Sequence, residues 1–517
     1  MKLSRRLFLL SPLALAYKPS WGALSFPLPQ GHFVPAKMPM HPVYPRPDSE
    51  TQSHARHRWA HPDFRYEIPI GVQGGAWPFK YEIINGPTGA TIGQYYGDPD
   101  YGVLKWMPAA GDSGTKAFTV RVTDQELNTV DLTWTTTVGA TAFIFLDAVN
   151  GSDTTGDGSI GNPYKTPASW FGPGDNNTVS YPDKIIVYRS GTYNLQKYDS
   201  SANWVSIANG VKPNQHIKFP DETPFLDCSV VGFISGACSD LFMNVDMGNT
   251  ATQQVADAKC IWVNGVGDRI TLLSNISDLG RGTVGNDNPA GYMFSAEIRS
   301  NIFIGGNFSG TSNAPMFDIY GGRYVLCENI TLSGTYSWQQ ILFIKSSSMD
   351  VTIRNVTCTD SFDCSEGVVD LMGNERSDTG KQDRLEVCWC WLDGHGGSWR
   401  RSIITFWTSG QYDPPNRDIW IYRNTLKGRI SGLDAYQTIN VERNVIVSDT
   451  TPYMQGSTSK RIINDTLTLS GGTTDNIIDA SGRLTGSYRT KYLGILGHEI
   501  TSDYKSIPKT PLQLIID

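Results

Sequence analysis

Between Ile302 and Leu469 the chain repeats one pattern of short, alternating apolar and polar runs that end in Gly, Asp or Ser. The copies IGGNFSG, LCENITLSG, TIRNVTCTD, IYRNTLKG, VERNVIVSD and INDTLTLSG each carry an Asn, at positions 307, 329, 355, 424, 444 and 464. A degenerate copy, LEVCWCWLDG, fills the long gap and puts Trp389 near the Asn position. Strands and turns recurring every ~20–30 residues predict a solenoid. Each repeat divides into a first strand (FSAEIR, PMFDIYG, QILFIKS, GVVDLMG, IITFWTS, LDAYQT) and a second, Asn-bearing strand. Stacked about 4.8 Å apart with parallel hydrogen bonds, such strands build internal apolar columns. The repeated Asn is expected at an inward turn, where stacked amides satisfy one another.

Residues 62–139 differ in character. PFKYEIINGPTG and the run from Gly102 to Val138 read as alternating strands with Gly, Pro and Asp turns. A hairpin is expected from FTVRVTD and DLTWTTTV, with Phe118, Val120 and Val122 on one face. Trp77-Pro78-Phe79, Trp106 with Pro108, Gly111-Asp112 with Gly114, and Val122-Thr123-Asp124 resemble immunoglobulin-like or cadherin-like modules. The resemblance implies a small β-sandwich used as a spacer, attachment domain or weak binder. Asp112 and Asp124 are read as turn formers, with calcium ligation the less favoured role.

The segment 143–171 follows directly. Its Asn150-Gly151-Ser152-Asp153 and Asn162-Pro163-Tyr164-Lys165-Thr166 resemble the opening of right-handed parallel β-helix proteins of the pectate-lyase-like superfamily. The resemblance implies an all-β fold with a right-handed parallel β-helix over 140–485. Residues 163–171 are then expected to form a helical cover for the first rung, which has no neighbour. Tailspikes and polysaccharide depolymerases share the superfamily, as do purely structural proteins, so chemistry has to be read from the surface.

With Ile298, Ile319, Ile344 and Leu371 taken as inward, the neighbouring positions form an outward strip. Asp318, Asp370 and Glu297 are the candidate acid and base groups; Tyr320, Arg299, Lys345, Trp407, Asp434, Tyr436 and His395 are candidate sugar-binding groups. Glycosidic hydrolysis needs two carboxyl groups, roughly 5–5.5 Å apart for retention and roughly 6.5–9.5 Å for inversion. Glu297 and Asp318 are expected on adjacent rungs, and Asp318 and Asp370 two rungs apart. A lyase would use a base such as Lys345, Arg299 or Arg323, and ranks below hydrolysis because the acidic and basic motifs of pectate lyases are not evident. Trp338, Trp389, Trp391, Trp399, Trp407 and Trp420 crowd the central rungs, some as core and some as surface rings.

Composition adds limits. A formal net charge of -7 argues against nucleic acid, which wants a strongly basic face. No cofactor fingerprint or metal-ligand spacing stands out. The eight cysteines are expected as buried thiols, with a Cys358–Cys364 disulfide as the alternative. Cys388 and Cys390 are expected on one face of one strand. Residues 1–22 have a basic start and an apolar core too short to span a bilayer. Ser4-Arg5-Arg6-Leu7-Phe8-Leu9 resembles the twin-arginine export motif; the same segment would serve in a phage virion as a docking arm. Residues 23–61 read as a Pro-rich extended linker and 486–517 as a C-terminal tail or cap, with no evident trimerisation domain. The expected function is binding of a bacterial surface polysaccharide with glycosidic hydrolysis. The alternative is a non-catalytic virion or cell-surface protein, as a homotrimer or with other virion proteins.

Overall fold

The computed structural model describes residues 34–45, 56–109, 111–166, 184–189 and 478–500 (without 494 and 495), together with strands and corners between 191 and 470. In that last stretch side chains are described mainly at positions between 324 and 467. Twelve strands, from Phe143–Leu146 to Lys460–Asn464, pair in chain order into one sheet, the first sheet. A second sheet of eight runs from Ile276–Leu279 to Leu467–Ser470, and a third of eight from Trp262–Asn264 to Met454–Gln455. Neighbours within each are parallel. One rung visits all three in turn: Arg323–Glu328, then Thr331–Tyr336, then Leu342–Lys345. The chain is therefore a three-sided, mostly-β solenoid.

Alternation decides what lies inside. In the first sheet, Cys327, Ile353, Val387, Ile421 and Val441 share one register column, and all are buried. Val325, Val351, Leu385, Ile419 and Ile439 form the parallel column. In the second sheet the corresponding column is Leu332, Cys358, Leu392, Leu426 and Ile446. Each residue is covered by its neighbours above and below, so the apolar interior is continuous along the stack.

The Asn marker divides into two columns. Its Asn-bearing "strand" is two strands meeting at a corner between the first and second sheets. Asn329, Asn355, Trp389, Arg423 and Arg443 occupy the bend itself, each with φ between 51 and 57°. Asn tolerates this left-handed conformation because its short side chain bonds locally. The Asn355 amide donates to Asn329 Oδ1 at 2.6 Å. The next position inward holds Ile330, Val356, Cys390, Asn424 and Asn444. Here the Asn424 amide donates to Asn444 Oδ1 at 3.0 Å and to Val387 O at 2.9 Å, while Cys390 N–H donates to Asn424 Oδ1 at 2.9 Å. So Asn424 and Asn444 form an inward amide ladder, whereas Asn329 and Asn355 are half-buried corner residues. Asn307 and Asn464 belong to neither column: they lie in register with Thr331 and Glu442. Asn424→Ala orphans the buried Cys390 N–H, and is expected to lower stability by about 2–3 kcal/mol in urea denaturation.

The same bend explains the cysteines. Trp389 interrupts the strand between Cys388 and Cys390, so alternation across it fails and the two do not share a face. Cys388 lies in register with Arg354 and Tyr422 on the outer side, while Cys390 Sγ points inward to Ile353 O at 3.8 Å. Cys327, Cys388 and Cys390 are buried free thiols, and burial holds Cys390 up at about 12. Cys358 is buried; Cys364 lies outside the described residues.

Residues 34–139 add three sheets, of four, three and two strands, the first two sharing one core. Gly114–Thr123 and Thr129–Val138 form the expected hairpin at the centre of a four-stranded sheet. Phe118, Val120 and Val122 are fully buried opposite Trp134, Leu132 and Val130. A three-stranded sheet supplies Tyr66, Ile68, Leu104 and Trp106 from the other side. Trp134 Nε1 donates to Tyr66 OH at 2.9 Å, which satisfies a polar atom inside this core. Asp124 is a turn former: Ala76, Glu126 and Asn128 N–H groups donate to its carboxylate at 2.8–3.0 Å. Asp112 accepts from Ala109 N–H at 2.7 Å and pairs with Lys116. Within the Pro-rich stretch, His41–Tyr44 is a strand paired with Gly71–Gln73.

The first rung is closed by a loop along its free edge. Phe145 N–H donates to Gly158 O at 2.9 Å, Tyr164 N–H to Phe145 O at 3.1 Å, and Asp147 N–H to Tyr164 O at 2.8 Å. Tyr164 thus bridges the edge and residues 165–166 bend, with no helix begun over 163–166, because the edge carries unpaired backbone groups that a helix could not bond. Residues 167–183 lie outside the described ones. His61 sits between Phe64, Phe143 and Phe145 at the join of the two parts, and burial lowers its pKa to about 4.

Candidate functional surface

A solenoid offers three outer faces, and two of them are covered by the chain's own segments. The first sheet's outward columns mix charged, polar and aromatic residues. Glu328, Arg354, Cys388, Tyr422 and Glu442 form one; Leu326, Thr352, Glu386, Trp420 and Asn440 form the other. The N-terminal module packs over them. Arg354 is fully buried and donates to Glu328 Oε2 at 2.8 Å, Gly74 O at 3.1 Å and Val72 O at 2.7 Å. Its guanidinium lies 4.7 Å from the centre of the Phe79 ring and 5.7 Å from that of Trp77. Gln73 donates to Asp350 O, and Gly74 N–H to Thr352 Oγ1 at 3.3 Å. Gly74 has φ 65° and packs so closely that a Cβ would meet Pro39 O at 2.3 Å.

Further along, Thr352 and Tyr422 hydroxyls donate to the two oxygens of Glu386 at 2.8 and 2.9 Å. Burial pushes the Glu386 carboxyl above the usual carboxylate range. Burial alone would lower the Arg354 pKa, but Glu328 beside it raises it instead. Lys37 pairs with Glu442 at 2.5 Å, and Trp77 meets Trp389 edge-on at 5.5 Å. These carboxylates resemble an acid–base set in composition, but they are consumed in holding the module to the solenoid. Sequence reasoning did not find this network. Its signal was the charged pair Glu328 and Arg354, each just before a corner Asn.

The second sheet's outer face is covered by residues 478–500. Trp391, Val445 and Val447 pack with Ile478, Leu484 and Leu496. Gly482 lies flat on Trp391, where a Cβ would meet the ring at 2.3 Å. A short helix, Gly486–Tyr492, leads to Gly497, whose N–H donates to Arg443 O at 3.0 Å. Trp389 and Trp391 are thus interface rings, and Trp420 packs against the core shared with the module.

The third sheet contains five of the sequence-predicted residues, Asp318, Asp370, Tyr320, Lys345 and Trp407. Its register aligns Met293, Asp318, Phe343, Asp370, Thr405 and Ser431 in one column. Tyr320, Lys345, Met372 and Trp407 form the column two residues on. Asp318 and Asp370 are therefore two rungs apart at one register position, with Phe343 between them. The adjacent-rung partner of Asp318 is Met293, not Glu297. Phe294, rather than Ile298, matches Ile319, because that strand ends at Ser295. The strand opposite Ser402–Thr408 is Arg429–Gly432, so Asp434 and Tyr436 follow its end. Glu297, Arg299, His395, Asp434 and Tyr436 lie outside the described residues. The described contacts of the N-terminal module fall on the first sheet, and those of the C-terminal segment on the second sheet and its corner.

Among the described residues no group of three or more His, Cys, Asp or Glu side chains is arranged to hold a metal ion. No described helix is long and apolar enough to cross a membrane. No family model matches the chain. No curated protein matches it. One solved structure, a Bacteroides fragilis protein described as a "putative alpha-galactosidase", is similar at 7% identity and a TM-score of 0.16 over 36% of this chain. The match spans about half (52%) of that structure, and likeness of this degree carries no functional argument.

Proposed function

We propose that the third sheet is the working face and that it binds an extended bacterial surface polysaccharide, with Asp318 and Asp370 cleaving a glycosidic bond by inverting hydrolysis. The observation that carries this reading is that Asp318 and Asp370 share one register column of the third sheet, two rungs apart. Two strand spacings separate their backbones by ~9.6 Å, at the upper edge of the inverting range, which side-chain reach can close. Phe343 between them, and Tyr320, Lys345 and Trp407 beside them, are the residue types that stack on sugar rings and bond their hydroxyls. Glu297, Arg299, His395, Asp434 and Tyr436 extend the proposed binding strip. Elimination with Lys345 as base is the lesser chemistry.

The reading takes the solenoid as right-handed and pectate-lyase-like, and the N-terminal module as immunoglobulin- or cadherin-like, on the motifs at 77–124 and 150–166. It takes the site of action as extracellular, reached by export or on a phage virion. A non-catalytic adhesive role is favoured by one observation: the N-terminal module is bonded rigidly to the solenoid, as an attachment domain would be. Reducing-end release across a panel of bacterial surface polysaccharides tests the enzyme reading. Binding of a glycan with no release by the wild-type chain would leave adhesion in its place.

A further inference from the structure

The C-terminal segment is held by a few contacts that converge on one histidine. The His498 backbone N–H donates to Thr425 Oγ1 at 3.3 Å, and its ring Nδ1 lies 2.9 Å from the same hydroxyl. One hydroxyl of the solenoid corner thus meets both the backbone and the ring of His498, and a neutral ring with a bare Nδ1 can accept its proton. The ring stacks on Trp391, with centroids 6.2 Å apart and planes 19° apart. Around this contact Gly497 N–H donates to Arg443 O, and Arg423 donates to Glu499 O at 3.1 Å. Ile500, at the end of the segment, packs against the core cluster that joins the N-terminal module to Trp389 and Tyr422. The segment thus touches both the second sheet and the module's core.

We propose that residues 478–500 are an acid-released latch, in which protonation of His498 frees the segment from the second sheet and uncovers Trp391, Val445 and Val447 while the solenoid stays folded. The charges facing the ring explain the direction. Arg423, from the solenoid corner, and Arg483, from the segment itself, both oppose a second positive charge, and Asp479 is the opposing carboxylate. Glu499 is engaged by Arg489 in a two-point pair and does not neutralise the ring. Burial first, then Arg423 and Arg483, hold the His498 pKa at about 4. A histidine in the released segment titrates near 6.5. Release therefore takes up a proton, and closure is strongest above about pH 6.5 and weakens as pH falls toward 4.

Hydrogen exchange on the full chain tests the latch. Between pH 8 and pH 4.5, after correction for intrinsic rates, the open population at Leu496, Gly497 and His498 is expected to rise on the order of 50-fold. The strand Val445–Ser448 beneath it is expected to stay protected. In His498→Gln, which keeps a neutral polar group near Thr425, the rise is expected to shrink to a few-fold. The buried His61 lies at the other junction and serves as the internal control, since it titrates in both proteins. Unchanged protection in the wild type, an equal acid response in His498→Gln, or loss of protection in Val445–Ser448 at the same pH would each overturn the proposal.

Discussion

Arg354→Met is expected to lower stability by about 3–5 kcal/mol and to make the N-terminal module sensitive to protease under native conditions. The size follows from what is left behind. Glu328 pairs with Arg354 at 2.8 Å, and both side chains are nearly inaccessible, at 4% and 1% exposure. A carboxylate stranded there loses its counter-charge without regaining water, and that uncompensated charge is the main cost. Val72 O and Gly74 O lose donors as well, each a buried carbonyl on the module side. The packing of the guanidinium against Phe79 and Trp77 is largely kept by methionine, which separates charge from volume. Glu328→Gln with Arg354→Met is therefore expected to recover most of the loss. Denaturant midpoints for the two single variants and the double variant check this. A single Arg354→Met within 1 kcal/mol of wild type, on the scale of an exposed pair, would remove Arg354 as the fastening.

The consequence reaches past one ion pair. A module tied through Arg354, Gln73, Lys37 and Trp77 to rungs from 325 to 442 cannot swing as a spacer would. It adds a fixed third layer to one side of the solenoid. The 478–500 segment meets that layer near the Asn corner: Ile500 packs against the core cluster shared with the module, and Arg483 acts on the charge of Tyr96. Among the described residues, both ends of the chain thus converge on the edge between the first and second sheets.

How far the sequence led can be judged at particular residues. The hairpin of Phe118, Val120 and Val122 was legible because one face is apolar and the other is not, which fixes the register. The columns Ile319, Ile344 and Leu371 were legible for the same reason. The Asn marker misled by one residue. Aligned on Asn, Arg354 matches Arg423; in the structure it matches Tyr422, because Asn355 is the bend and Asn424 is the residue after it. Asn serves both positions, by tolerating positive φ in one and by stacking amides in the other, and a pattern of types does not separate the two uses. A slip of one flips every side chain across the sheet, which is why Glu328, Arg354 and Glu386 went unnoticed as a buried network. The rung before Asp318 reaches the third sheet through Tyr292–Ser295, ahead of the FSAEIR strand read from the sequence, and no repeat signal marked that shift.

On the proposed hydrolytic reading, Asp318→Asn and Asp370→Asn are each expected to reduce polysaccharide cleavage by about 10²–10⁴-fold, while glycan affinity changes little. The roles need opposite protonation states. One carboxyl must give a proton to the leaving oxygen and the other must take one from water on the far side of the ring. Asparagine keeps the shape and one carbonyl acceptor but can do neither. Because the two act as a unit, Asp318→Asn with Asp370→Asn is expected to be little worse than either alone, rather than the product of both losses. Phe343→Ala removes a ring from the gap between them and is expected to raise KM more than it lowers kcat, separating sugar positioning from proton transfer. Reducing-end kinetics on a cleaved substrate, with binding measured in parallel by calorimetry, resolves the three cases. Full cleavage by the double variant would sink the assignment of these carboxylates while leaving the face itself open. Loss of binding in both single variants, with the fold intact, would make Asp318 and Asp370 anchors for the glycan and not the groups that cut it.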